Sequence, residues 1–195
     1  MEKLQVGLTC FGSNTDILNE KYFALIKGDI SGIQKFVYTI TSEGATSALK
    51  GRSFFLQLLS YLLTKKVLND LELPETNILY DGGGHFYILA PNIEVKNKVK
   101  DTQIKIEKML FHTFNGKLGF LLDLEELSIN DFCGDKSENA FSFVWEKVSK
   151  KVNQQKYNRF VHILNDTSEY AKNWGPIGEG GKLKQCKVCK TELEN

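Results

Sequence analysis

The sequence predicts an α+β domain of the ferredoxin-like βαββαβ type, with two helices on one face of a four-stranded antiparallel sheet. Three observations carry that expectation. The β-rich runs Asn77 to Tyr80 (NILY) and His85 to Ala90 (HFYILA) flank Asp81-Gly82-Gly83-Gly84, whose glycines supply the positive φ values that a tight hairpin needs. Before this hairpin and after it, apolar residues recur at helical spacing. A further β-rich run, Leu118 to Leu124, closes the pattern.

Taken in chain order, residues 1–19 are polar and marked by Gly, Ser and Asn without periodicity, and read as a linker or arm. Tyr22 to Lys27 (YFALIK) is a buried-strand signal closed by Gly28-Asp29. Ser31 then offers an N-cap for a short helical segment through about Tyr38. From Ala48 to about Asn69, Phe55, Leu58, Leu59, Leu62, Leu63 and Val67 form an apolar stripe that Leu56 thickens, the pattern of a deeply buried helix. After the hairpin, Val95, Val99, Ile106, Met109 and Leu110 mark a second amphipathic helix, and Asn115-Gly116 turns the chain into the last strand. The expected first domain is therefore residues 20–125. Such an architecture is shared by polymerase palms, nucleotide cyclases and plain binding domains, so fold alone assigns no chemistry.

Residues 126–173 read as a helical linker segment. Phe141, Val144, Trp145, Val148 and Val152 lie at helical spacing, with Lys147, Lys150, Lys151, Lys156 and Arg159 on or near the polar side. Basic residues on a helix are usually its solvated face. Residues 174–195 are Gly-rich and carry Cys186-Lys187-Val188-Cys189.

Composition narrows the partners. With 195 residues, 42% hydrophobic and 25% charged, the chain has material for one packed core and a small appendage. Its 25 basic and 24 acidic residues nearly cancel, so any polyanion contact has to be local. No apolar run approaches a membrane span and the N-terminus lacks a signal-peptide pattern. Four cysteines, two of them isolated at Cys10 and Cys133, suit a reducing compartment better than a disulfide framework. A soluble cytoplasmic protein without membrane contact is expected.

Three segments, Gly28-Asp29-Ile30-Ser31-Gly32-Ile33-Gln34-Lys35-Phe36, Leu49-Lys50-Gly51-Arg52-Ser53-Phe54-Phe55-Leu56 and Tyr80-Asp81-Gly82-Gly83-Gly84-His85-Phe86, are similar in sequence, order and spacing to the first palm of the large signature subunit of type III-A (Csm-type) CRISPR effector complexes. The resemblance covers roughly Tyr22 to Phe160. It implies a parent protein with an HD-type single-strand DNA nuclease domain, two palms, and synthesis of cyclic oligoadenylate from ATP when target RNA is bound. It also implies partners: the remainder of the large subunit, other Csm-type subunits, and guide and target RNA. The Cys pair is then the start of a truncated zinc-binding knuckle. No adjacent His-Asp pair and no Gly-Gly-Asp-Asp occurs in the sequence. This palm is accordingly expected to be non-catalytic, one half of a composite ATP and Mg²⁺ site.

Seven residues are candidates for nucleotide contact, each with a plainer reading beside it. Asp29 closes a strand where palm enzymes place a carboxylate for Mg²⁺, or sits near a helix start for the dipole alone. Ser31 is a phosphate neighbour or an N-cap. Arg52 is a bidentate phosphate ligand or a solvated or paired arginine. Gly82, Gly83 and Gly84 permit close approach of a base or phosphate, or only make a turn; three in a row exceed what a two-residue turn requires. His85 stacks on a base or is structural. Cys186 and Cys189 have zinc-knuckle spacing, but a structural site needs four ligands, and His162 or Cys133 would join only by coincidence of folding. Two rival functions remain open: a free-standing nucleotidyl cyclase using Asp29 and Asp81 as converging metal ligands, and a structural scaffold contacting RNA or neighbouring subunits through the Lys-bearing helix.

Overall fold

The computed structural model describes residues 15–39, 45–133, 141–168 and 184–186. The chain runs α1 (Thr15–Asn19), β1 (Phe23–Ser31), α2 (Ile33–Tyr38), α3 (Ala45–Asp70), β2 (Ile78–Gly82), β3 (His85–Pro91), α4 (Val95–Phe114), β4 (Gly119–Leu127), α5 (Ile129–Cys133), α6 (Phe141–Gln155) and α7 (Val161–Leu164). The four strands make one sheet in the order β2-β3-β1-β4 with every neighbouring pair antiparallel. That is the ferredoxin-like arrangement the sequence pattern predicts.

Alternation along the strands divides the core into two layers. Ala24, Ile26 and Ile30 of β1, Phe86, Ile88 and Ala90 of β3, and Phe120, Leu122 and Leu124 of β4 face one side. There they pack against Leu56, Leu63 and Val67 of α3 and Val95, Val99, Ile106 and Leu110 of α4. The two crossover helices thus share one face. The other face is not left to solvent: Leu25, Tyr87 and Leu127 meet Val144 and Val148 of α6, with Phe23, Leu89, Phe141 and Trp145 around them. The Tyr87 and Trp145 rings stack at 3.8 Å. The segment expected to follow the palm therefore supplies the cover for its second face.

Two local expectations are corrected. β1 continues through Gly28-Asp29 to Ser31, because its pairing with β3 and β4 runs on past Gly28, whose missing side chain leaves room for the Phe86 ring. Ser31 is consequently a strand residue and not an N-cap. The cap of α2 is Gly32, at φ 88° and without a side-chain bond, where a Cβ would run into the Lys117 carbonyl. Of the expected arm, Thr15–Asn19 forms a short helix whose last residue accepts a hydrogen bond from Asn130 at 2.7 Å. Among the described residues no helix is long and apolar enough to cross a membrane.

Candidate nucleotide-binding site

The Gly82–His85 turn is built by the glycines in two different ways. Gly83 and Gly84 are the two turn residues, at φ 63° and 85°, the positive pair that a primed two-residue hairpin requires. Gly82 is the last residue of β2, and a Cβ there would sit 3.0 Å from the Tyr80 hydroxyl. Tyr80 is 45% exposed and free to shift, so this contact constrains the third glycine only mildly. The Gly84 carbonyl accepts the Ile30 N–H at 2.8 Å, which ties the turn to β1, while Ile33 of α2 presses against Gly84.

Between this turn, α2 and α3 lies a cavity of about 430 Å³. Its polar lining comes from Ser53, Gln57, Ser60 and Tyr61 of α3 and from Asp81, its apolar floor from Ile33, Val37 and Leu56. Ser60 occupies the buried phase of α3 and is 6% exposed, yet its Oγ has no hydrogen-bond partner. Its carbonyl is taken by Thr64 Oγ1 at 3.0 Å. A buried hydroxyl in that state is costly unless something else satisfies it. Asp81 is the only charged residue in the lining.

The seven sequence candidates do not converge. Gly82, Gly83 and Gly84 line the cavity. Asp29 and His85 are paired across β1 and β3 on the opposite face, under α6 and the Lys156–Asn158 turn. There the Asp29 carboxylate meets Lys156 Nζ at 2.7 Å, and His85 stacks on Tyr80 at 5.1 Å and abuts Tyr87 edge-on. Ser31 Oγ is buried against Gly119 without a hydrogen-bond partner. Arg52 donates to the Phe36 and Thr39 carbonyls at 2.5 and 2.7 Å and lies over the Phe36 ring, so it caps the end of α2 and is absent from the cavity lining.

Metal chemistry fits poorly here. Asp81 stands opposite Phe86 and Asp29 opposite His85, adjacent register positions that point to opposite faces of the sheet. The two carboxylates required by the cyclase alternative therefore do not converge on one metal pair. Among the described residues no group of three or more His, Cys, Asp or Glu side chains is arranged to hold a metal ion. Cys186 is a free thiol, while Cys189 lies outside the described residues and the Cys133 side chain is likewise not described. His162 faces Glu107, whose carboxyl burial pushes up despite a hydrogen bond from the Phe160 N–H. The basic residues of the Lys-bearing helix are engaged within the domain. Lys147 and Lys151 reach Glu125, Lys150 reaches Glu146, and Arg159 donates to the Gly116 carbonyl.

The family described as Csm1 subunit domain B matches residues 22–173. A relative from Methanocaldococcus jannaschii, the CRISPR system single-strand-specific deoxyribonuclease Cas10/Csm1 (subtype III-A), is 36% identical over 190 residues, 93% of this chain and 22% of the relative. The chain belongs to the Cas10/Csm1 family. It spans about a fifth of the length of these curated relatives. Among solved structures, a Csm1–Csm4 cassette in complex with AMPPNP superposes with a TM-score of 0.67 at 27% identity, covering 80% of this chain and 21% of that one. A Csm1–Csm4 cassette in complex with cA4 gives 0.66 at 28% identity, covering 76% and 21%. The palm fold and the type III-A assignment implied by the three motifs agree with this Cas10/Csm1 membership.

Sequence reasoning missed Ser53, Gln57, Ser60 and Tyr61. The available signal was Ser60 itself, a hydroxyl in phase with Leu56, Leu63 and Val67 on the buried side of an apolar helix.

Proposed function

We propose that the chain is a non-catalytic palm supplying one wall of a composite ATP site, completed by a second palm of a type III-A large subunit, for cyclic oligoadenylate synthesis in antiviral defence. The observation that carries this reading is the cavity at the glycine turn. Its size suits a small molecule, and the Ser60 hydroxyl at its wall lacks a partner. A lining whose one charge is the Asp81 carboxylate suits an uncharged base or sugar and repels a triphosphate. The phosphates and their Mg²⁺ then belong to the missing wall. Solved relatives bound to AMPPNP and cA4 support an adenine nucleotide as the ligand class.

No turnover is expected from this chain alone. Gly84 and His85 stand where the active palm of the family carries paired aspartates, and the Asp29 carboxylate is already held by Lys156. Calorimetry with ATP and Mg²⁺, beside an assay for oligoadenylate and pyrophosphate, tests both halves. The expected result is weak binding, lost in Ser60→Val and Gln57→Ala, with no product. Turnover abolished by Asp29→Ala would overturn the reading in favour of a free-standing cyclase. Absence of both binding and turnover would leave a structural scaffold.

A further inference from the structure

β4 is an edge strand nine residues long, paired only with β1 among the described residues. Leu124 shows which backbone groups point outward: its N–H meets Asp123 Oδ1 at 2.8 Å and its carbonyl accepts Lys151 Nζ at 3.0 Å. By the two-residue period of a strand, Leu122 and Glu126 turn the same way. These groups face a trough of about 760 Å³ between α4 on one side and α6 and α7 on the other.

Two residues that line the trough each keep a buried oxygen without a hydrogen-bond partner. Glu107, 2% exposed, uses Oε1 to accept the Phe160 N–H at 2.7 Å and leaves Oε2 unpartnered. Gln155 has its Nε2 committed to Asp123 at 2.7 Å, which fixes the amide orientation and leaves its Oε1 unpartnered. The lining holds five lysines against four other acids and the buried Glu107, so it offers little net field to attract a nucleic acid backbone. Lys96 and Lys100, exposed one turn apart on α4, carry no ion pair among the described residues. A long trough of balanced charge along an open strand edge fits an extended polypeptide, which brings N–H and C=O groups at the strand's own repeat.

We propose that the β4 edge receives an extended segment of the remaining large-subunit polypeptide as a fifth strand, with a lysine, arginine or amide side chain reaching Glu107. This rests on the reading of the chain as part of a larger subunit. The relatives are several times longer than the chain, and a tethered or co-assembled segment meets the edge at high effective concentration. Asp123 and Lys151 cover the Leu124 groups while the edge is empty, as charged side chains commonly do at strand edges, and they yield to the incoming strand.

Amide hydrogen exchange on this chain alone, and on the chain assembled with the rest of the large subunit but no other component, tests the proposal. The Leu122, Leu124 and Glu126 amides are expected to slow by about tenfold or more on assembly, whereas the inward-facing Asp123 and Glu125 amides change little. Glu126→Pro removes an outward donor from an exposed position and no β1 bond, so it should melt like the parent chain yet lose the protection. Failure to assemble, unchanged exchange, or slowing that appears only when a Csm4-type subunit or RNA is added would each overturn the proposal. ATP calorimetry on the same samples reads the composite-site proposal separately, because the glycine-turn cavity lies on the far side of the domain and shares no lining residue with the trough.

Discussion

The Phe86 ring lies flat over Gly28, so closely that a methyl group built on Gly28 would overlap three of its ring carbons. Phe86 is 1% exposed and stacks on Phe120, and it cannot swing away without opening the core. Gly28→Ala should therefore destabilise the domain by about 1–3 kcal/mol through overpacking. Urea denaturation of Gly28→Ala and of the double variant with Phe86→Leu checks this, with part of the loss recovered in the double variant.

Asp29 sits on the face opposite the cavity and is bound to Lys156, so its removal should not be felt by a nucleotide. Asp29→Asn is expected to change ATP affinity by less than about twofold and to cost below about 1 kcal/mol, as for a partly exposed ion pair. Calorimetry paired with thermal melting separates these outcomes. A large loss of binding would place the ligand on the α6 face.

Arg52 closes α2 by donating to two of its terminal carbonyls while stacking on Phe36. Arg52→Ala should cost about 1–2 kcal/mol, and Arg52→Lys should recover only part of it, because an ammonium cannot also lie flat on the ring. Denaturation midpoints of the three proteins give the comparison.

Glu107 makes stability depend on pH. Burial raises its folded pKa above the ordinary glutamate value of 4.5, so the neutral form is the one the fold prefers. Its contribution is fully present below the unfolded pKa and is lost as pH rises through the raised folded value. Glu107→Gln, neutral at every pH, should leave the melting temperature little changed in acid and raise it relative to the parent toward neutral pH. Melting curves across that range, with a parallel control at Glu146, measure the difference.

Much of the fold was legible because strand and helix periods are local. The HFYILA run and the Val95-to-Leu110 stripe each announce their element without reference to the rest of the chain. The sheet order followed from the βαββαβ sequence. What the sequence hid depends on contacts between distant residues. Nothing near Gly28 shows that Phe86 will cover it, so the glycine reads as a strand end when it lies within the strand. The placement of α6 on the second face is likewise a tertiary fact, set by Val144 and Val148 meeting Leu25 and Leu127. The candidate site divided for the same reason. Asp29 and the Asp81 that leads into the glycine turn are neighbours in the motif pattern, but side-chain alternation sends them to opposite faces of the sheet.

The long helix α3 has apolar residues on both sides. While Leu56, Leu63 and Val67 are buried, Phe54, Leu58, Tyr61 and Leu62 remain between 46% and 68% exposed at helical spacing on the outward face. To the quality-control machinery of a cell, such an exposed apolar stripe is a recognition surface for chaperones and proteases. Leu58→Glu with Leu62→Glu should therefore lengthen the lifetime of this chain when it is expressed alone.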